Sequence, residues 1–153
     1  MNVTAFDIAQ RFVGLAEVPG TQSNPAILAM LKLDGDWPKD DEVPWCSAFA
    51  NYVAWLLRLP RSKSLAARSW LDVGVPVTIT EARVGFDVVV LWRGTLDAAS
   101  GHVGFYAGHD DKAVHLLAGN QGDKVSVASF PVARVLGVRR LLDDSSNGPL
   151  VRT

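Results

Sequence analysis

Apolar residues recur at helical spacing in the first part of the chain and gather into short dense runs after residue 74. Ala5, Ile8, Ala9, Phe12 and Leu15 form one stripe, which predicts a helix over 4–16. Thr4 can cap it, with Asp7 three residues later as in a capping box, and Pro19 and Gly20 end it. Asn24 as cap and Pro25 at the first helical position open a second helix, with Ile27, Leu28, Met30 and Leu31 on its apolar face. Residues 33–44 read as a polar loop. A third helix is predicted over 45–58, with Phe49, Tyr52, Val53 and Leu56 as its buried stripe and Pro60 as its stop. A shorter helix over 65–71 can start at Ser64.

The later runs, 75–79, 86–92, 102–107, 113–118, 125–128 and 135–141, are rich in valine and aromatics and bounded by Gly, Asp or Pro, so they read as strands. Helices first and strands second predict an α+β domain, its N-terminal helices packed on a C-terminal antiparallel sheet of about five to six strands. Residues 1–142 are expected to form one domain and 143–153 a loose polar tail.

Composition narrows the function classes. At 153 residues and 48% hydrophobic, the chain can bury a real core. Its 15 Lys and Arg against 16 Asp and Glu show no basic stripe, so no nucleic-acid partner is expected. The first 20 residues lack a basic start and an uninterrupted apolar run, so no signal peptide is expected. No stretch reaches the roughly 20 apolar residues of a membrane span. The single cysteine excludes an internal disulfide.

That cysteine, Cys46, opens the third helix after Pro44 and Trp45. A helix start offers unpaired N–H groups and a partial positive charge, which favour a thiolate and can hold an oxyanion. His102, at the start of a strand between Gly101 and Gly104, is the candidate base. A third polar group should orient it. Asn120, beside Gly119, is preferred, and His115 is the rival. Strict alternation puts 115 and 120 on opposite faces of a strand, so only one is expected to point at His102. Trp45, Glu17 and Gln121 are candidate substrate contacts. Trp45 can equally pack in the core, Glu17 can be a solvated helix-end acid and Gln121 can cap a turn. Asp40, Asp41 and Glu42 read as a solvated loop, and His102, His109 and His115 lack zinc-ligand spacing, so no metal or other cofactor is expected.

The segments Pro-Trp-Cys-Ser-Ala-Phe at 44–49, Gly-His-Val-Gly-Phe-Tyr at 101–106 and Gly-Asn-Gln at 119–121 resemble the CHAP and NlpC-type cysteine peptidoglycan hydrolases. They are most similar to a small CHAP-like group found in phage lysis proteins and bacterial genomes. The resemblance extends to Glu-Val-Pro-Gly at 17–20, Asn24 and Pro25, Ala-Arg-Ser-Trp at 67–70 and Leu-Gly-Val-Arg at 136–139, so it spans nearly the whole domain. It implies a papain-like fold and cleavage of amide bonds in the peptidoglycan stem peptide, as endopeptidase or amidase, with Cys46 as nucleophile and His102 as base. Many CHAP members carry an acid before the Gly-Asn pair, where this chain has Ala118; many NlpC-type members use a second histidine, which favours His115. The biological setting implied is a phage lysin or a secreted antibacterial effector. Either would act on the wall as a monomer after holin-type release or secretion-system delivery, and an effector would need a cognate immunity protein.

Overall fold

The computed structural model describes residues 3–18, 24–34 and 45–142. Most of the expected polar loop (35–44), the Pro19 and Gly20 stop and the expected tail (143–153) lie outside the described residues.

Among the described residues three α-helices precede six strands: α1 (Ala5–Gln10), α2 (Pro25–Leu31), α3 (Cys46–Leu56), β1 (Val75–Val77), β2 (Asp87–Trp92), β3 (Gly101–His109), β4 (Ala113–Ala118), β5 (Ser126–Pro131) and β6 (Val135–Arg140). The predicted helix over 65–71 is a 3₁₀ helix, Ala67–Asp72. The strands form one sheet in the order β1-β6-β2-β3-β4-β5, antiparallel at every pairing. The class is α+β.

Local chemistry explains the helix starts. Thr4 and Asp7 exchange backbone-to-side-chain bonds of 2.9 and 3.1 Å at α1, and Asn24 accepts from the Ala26 N–H at 2.8 Å at α2. α1 is shorter than its apolar stripe predicts. Gly14 takes φ 102° and donates to the Val125 carbonyl at 2.9 Å, and the Val125 N–H returns to Leu15 at 2.8 Å. Ala16 then bridges to Lys124. Pairing with the chain ahead of β5 therefore unwinds the expected last turns.

β2 lies inside the sheet, and Val88, Val89, Val90 and Leu91 are all buried, half against each face. The helix-side core joins Val88, Val90, Val103, Phe105 and Leu117 to Phe49 and Val53 of α3 and to Ile27 and Met30 of α2. Edge-to-face rings, Phe12 on Phe49 and Phe49 on Phe105, tie α3 to its neighbours. Leu56, expected in the buried stripe, is exposed; Ala50 and Ala54 are fully buried instead. The opposite face buries Val89, Leu91, Tyr106, Val114, Leu116 and Val138 under Val77, Ile79, Ala82, Phe130 and Val135.

Candidate functional site

Cys46 is the first residue of α3 and is 4% exposed. Its helix start is fixed from three sides. Trp45, at the cap position, is fully buried, and its indole N–H donates to the Glu17 carboxylate at 2.8 Å. Ser47, also fully buried, donates to the Ser64 carbonyl at 2.6 Å and accepts from the Trp70 indole at 2.9 Å. Asn51, one turn on, accepts from the Lys63 N–H at 2.9 Å and directs its amide hydrogens at the Ser47 carbonyl, Ser62 and the Ser64 carbonyl. The third contact is a close approach at the end of β4. A Cβ on Gly119 would stand 2.6 Å from the Trp45 ring and 2.9 Å from the Phe49 Cβ, so only glycine lets α3 seat there.

His102, the second residue of β3, is fully buried and lies opposite Leu91 of β2. Its Nε2 is 2.9 Å from the Gln121 side-chain oxygen. The Gln121 amide nitrogen donates to the carbonyls of Leu116 (3.2 Å) and Ser126 (2.7 Å), so the amide cannot be flipped without losing both. The oxygen therefore faces the imidazole and accepts from it. Nε2 carries the proton, and Nδ1 is left with its lone pair. Phe130 flanks the ring at 5.2 Å between centroids.

This geometry corrects two expectations. Asn120 does not orient His102: it occupies a turn with left-handed φ of 61°, and no hydrogen bond joins it to the imidazole. His115 does not either, because its Nδ1 pairs with Ser129 on β5 at 2.7 Å and its ring packs beside Gly108. Gln121, expected to touch substrate or cap a turn, is buried and holds the ring. Trp45 and Glu17, the other expected substrate contacts, are engaged with each other. Trp45 has no surface to offer a ligand, and Glu17 is half-buried.

The electrostatics describe a neutral pair. Burial pushes the Cys46 thiol above its ordinary value; the backbone N–H groups of Val103, Ser47 and Cys46 itself, with the Arg93 cation, act in the opposite sense. Burial also pushes His102 down to about 4, assisted by Arg93 and Arg134 and opposed by the Gln121 hydrogen bond. Cys46 and His102 share no direct hydrogen bond.

Arg93 was not among the residues singled out in the sequence. Its Nη2 approaches His102 Nδ1 at 3.5 Å. The signal was positional: it follows the strand that pairs Leu91 with His102 and Trp92 with Gly101. Among the described residues, no group of three His, Cys, Asp or Glu side chains is placed to hold a metal ion, and no helix is long and apolar enough to cross a membrane. No protein-family model matches the chain, and no curated protein matches it.

Proposed function

We propose that the chain is a papain-like cysteine hydrolase that cleaves amide bonds of the peptidoglycan stem peptide, as endopeptidase or amidase, and that it serves as a phage-type lysin or a secreted antibacterial effector. The observation that carries the chemistry is the set of three: a lone cysteine at a helix start, a buried histidine at the start of a strand, and the Gln121 oxygen that holds its Nε2–H. The wall substrate rests on the sequence resemblance.

In this reading the Cys46 sulfur attacks the scissile carbonyl while its proton passes to Nδ1 of His102. The Cys46 N–H at the helix start helps hold the oxyanion. The imidazolium then protonates the leaving amine, which departs and leaves a thioester. Water adds to the thioester as Nδ1 takes its proton, the acid product leaves, and the sulfur recovers its hydrogen. Neutral resting partners suit this sequence, since an imidazole already protonated could not act as base. The test is digestion of purified peptidoglycan with muropeptides read by mass spectrometry. Release of new stem fragments by wild type and none by Cys46→Ala is expected. Equal cleavage by the variant would rule out the mechanism.

A second reading, a papain-like module that binds a wall peptide or another partner without turnover, is favoured by the buried thiol and the missing Cys46–His102 hydrogen bond. A thiol-reactive probe separates the two. Labelling of Cys46 that is rapid, pH-dependent and slowed in His102→Ala marks the enzyme; ordinary, His102-independent reactivity marks the module.

A further inference from the structure

Three arginines stand around the His102 end of the sheet, and two are occupied. Arg68 gives its guanidinium to the carbonyls of Ser100 (2.8 Å), Leu96 (2.9 Å) and Thr95 (3.2 Å). Arg134 gives Nε and Nη2 to the Trp92 carbonyl at 3.0 and 2.9 Å, and its guanidinium carbon lies 5.6 Å from the Trp92 ring centre and 5.9 Å from that of Phe130. Arg68 braces backbone, and Arg134 braces backbone and rings.

Arg93 differs. It is half-buried, the one polar contact of its guanidinium among the described residues is the 3.5 Å approach to His102 Nδ1, and no carboxylate there pairs with it. That contact uses one of five N–H donors, in a fork whose planar geometry matches a carboxylate. A half-buried cation with no carboxylate partner among the described residues, directed at a neutral imidazole, has donors free to receive an anion. Its field also reaches the Cys46 sulfur. An anion held by Arg93 would therefore lie beside His102, the base of the proposed reaction.

We infer that Arg93 is a specificity residue that receives a carboxylate of the substrate next to the scissile amide, so the acyl chain entering the site bears a free acid close to the bond that is cut. The inference rests on the thiol-hydrolase reading and adds the substrate's charge. Stem peptides supply such carboxylates when unamidated. An amidated stem would forfeit the ion pair and leave Arg93 unpaired in the complex.

The test uses two small alkylating agents that differ only in the group Arg93 would receive. Iodoacetate carries a carboxylate and iodoacetamide the neutral amide; in each, the sulfur bonds to the methylene carbon and iodide leaves. The ratio of their rates at Cys46 cancels effects on thiol reactivity, which act on both. Wild type is expected to favour iodoacetate, relative to Arg93→Gln, by about tenfold, the scale of one charge-assisted pair. Arg93→Lys should keep part of the preference and guards against a folding defect in the glutamine variant. Equal ratios in wild type and both variants, or no labelling of Cys46 by either reagent, overturn the inference. The muropeptide digest is read separately. An Arg93-dependent ratio without stem cleavage keeps the carboxylate site and removes the wall substrate. Stem cleavage with equal ratios does the reverse.

Discussion

The Gln121 side-chain oxygen meets Nε2 of His102 at 2.9 Å, while the amide nitrogen of the same residue is tied into the β4–β5 turn by the Leu116 and Ser126 carbonyls. One side chain thus links the imidazole to the backbone of two strands. It fixes which ring nitrogen is free to accept a proton, and it does so inside the protein, where a misdirected amide would leave polar groups unpaired.

Gln121→Leu should accordingly be a severe change. It leaves the buried Nε2–H without a partner, which costs about 1–3 kcal/mol of stability, and it lets the ring adopt the wrong tautomer. On the proposed function, turnover of stem peptides should fall by about two orders of magnitude or more, the scale of losing an effective general base. Asn120→Ala should keep turnover within about threefold and lower stability by about 1–2 kcal/mol, because alanine fits poorly at φ 61°. Steady-state kinetics with urea unfolding on both variants decides the matter. A larger catalytic loss from Asn120→Ala would return the orienting role to that residue.

Why Gln121 was not legible as the orienter is a question of phase. Alternation carried through 113–120 assumes that the strand continues. β4 instead ends at Ala118, and the left-handed residue Asn120 turns the chain so that Gln121 comes back under the sheet, its N–H bonded to the Lys124 carbonyl at 2.9 Å. The early end of α1 has a similar origin, since the partner that captures Gly14 and Leu15 is more than 100 residues away, at Val125. What was legible was local. Thr4 with Asp7 and Asn24 with Pro25 set helix starts, and the Val-Val-Val-Leu run at 88–91 set the interior strand. Cys46 and His102 were readable because a helix start and a strand start are written in adjacent residues. Arg93 was not, because its meaning depends on the register of β2 against β3.

The acid stability of the fold should carry the signature of His102. Its folded value of about 4 lies below the ordinary 6.5, so between these limits the unfolded chain binds the extra proton. The stabilisation is complete above about pH 6.5, declines as the pH falls and is gone near pH 4, a span of about 3 kcal/mol. Urea midpoints of wild type and His102→Gln, measured from pH 4 to 8, provide the check. The variant should lack this one-proton share of the acid limb. Parallel profiles for the two proteins would exclude a depressed His102.

Glu17 and Trp45 should behave as a structural pair. Trp45→Phe keeps most of the buried ring and deletes the N–H that reaches Glu17, for an expected loss of about 1–2 kcal/mol. Trp45→Ala removes the ring and should cost about 3–5 kcal/mol. Glu17→Ala should match Trp45→Phe in stability, and the double variant should cost less than the sum, since both delete one interaction. A thermal or urea double-mutant cycle measures this. A rise in KM for Glu17→Ala with no change in stability would instead make Glu17 a substrate contact.

The seating of Cys46 can be tested where its helix meets the end of β4, at Gly119. A methyl group there would meet the Trp45 ring at 2.6–2.7 Å and the Phe49 Cβ at 2.9 Å, distances at which something must move. The sheet end is held by the β4–β5 pairing and Gln121, and Trp45 is surrounded by core, so the start of α3 is the part expected to yield. Overpacking of this kind costs about 1–3 kcal/mol. A displacement of even a fraction of an ångström at Cys46 also moves the sulfur, on whose alignment the proposed reaction depends. Gly119→Ala should therefore remain folded but lose far more turnover, and far more Cys46 alkylation rate, than its stability loss explains. Gly122→Ala, at a glycine with φ 66° and no neighbour within 4 Å of an added Cβ, is the control. It carries the backbone strain of a left-handed position without touching α3, so it should lower stability and leave alkylation near the wild-type rate. Equal alkylation rates in the two variants would mean that Gly119 does not set the position of the sulfur.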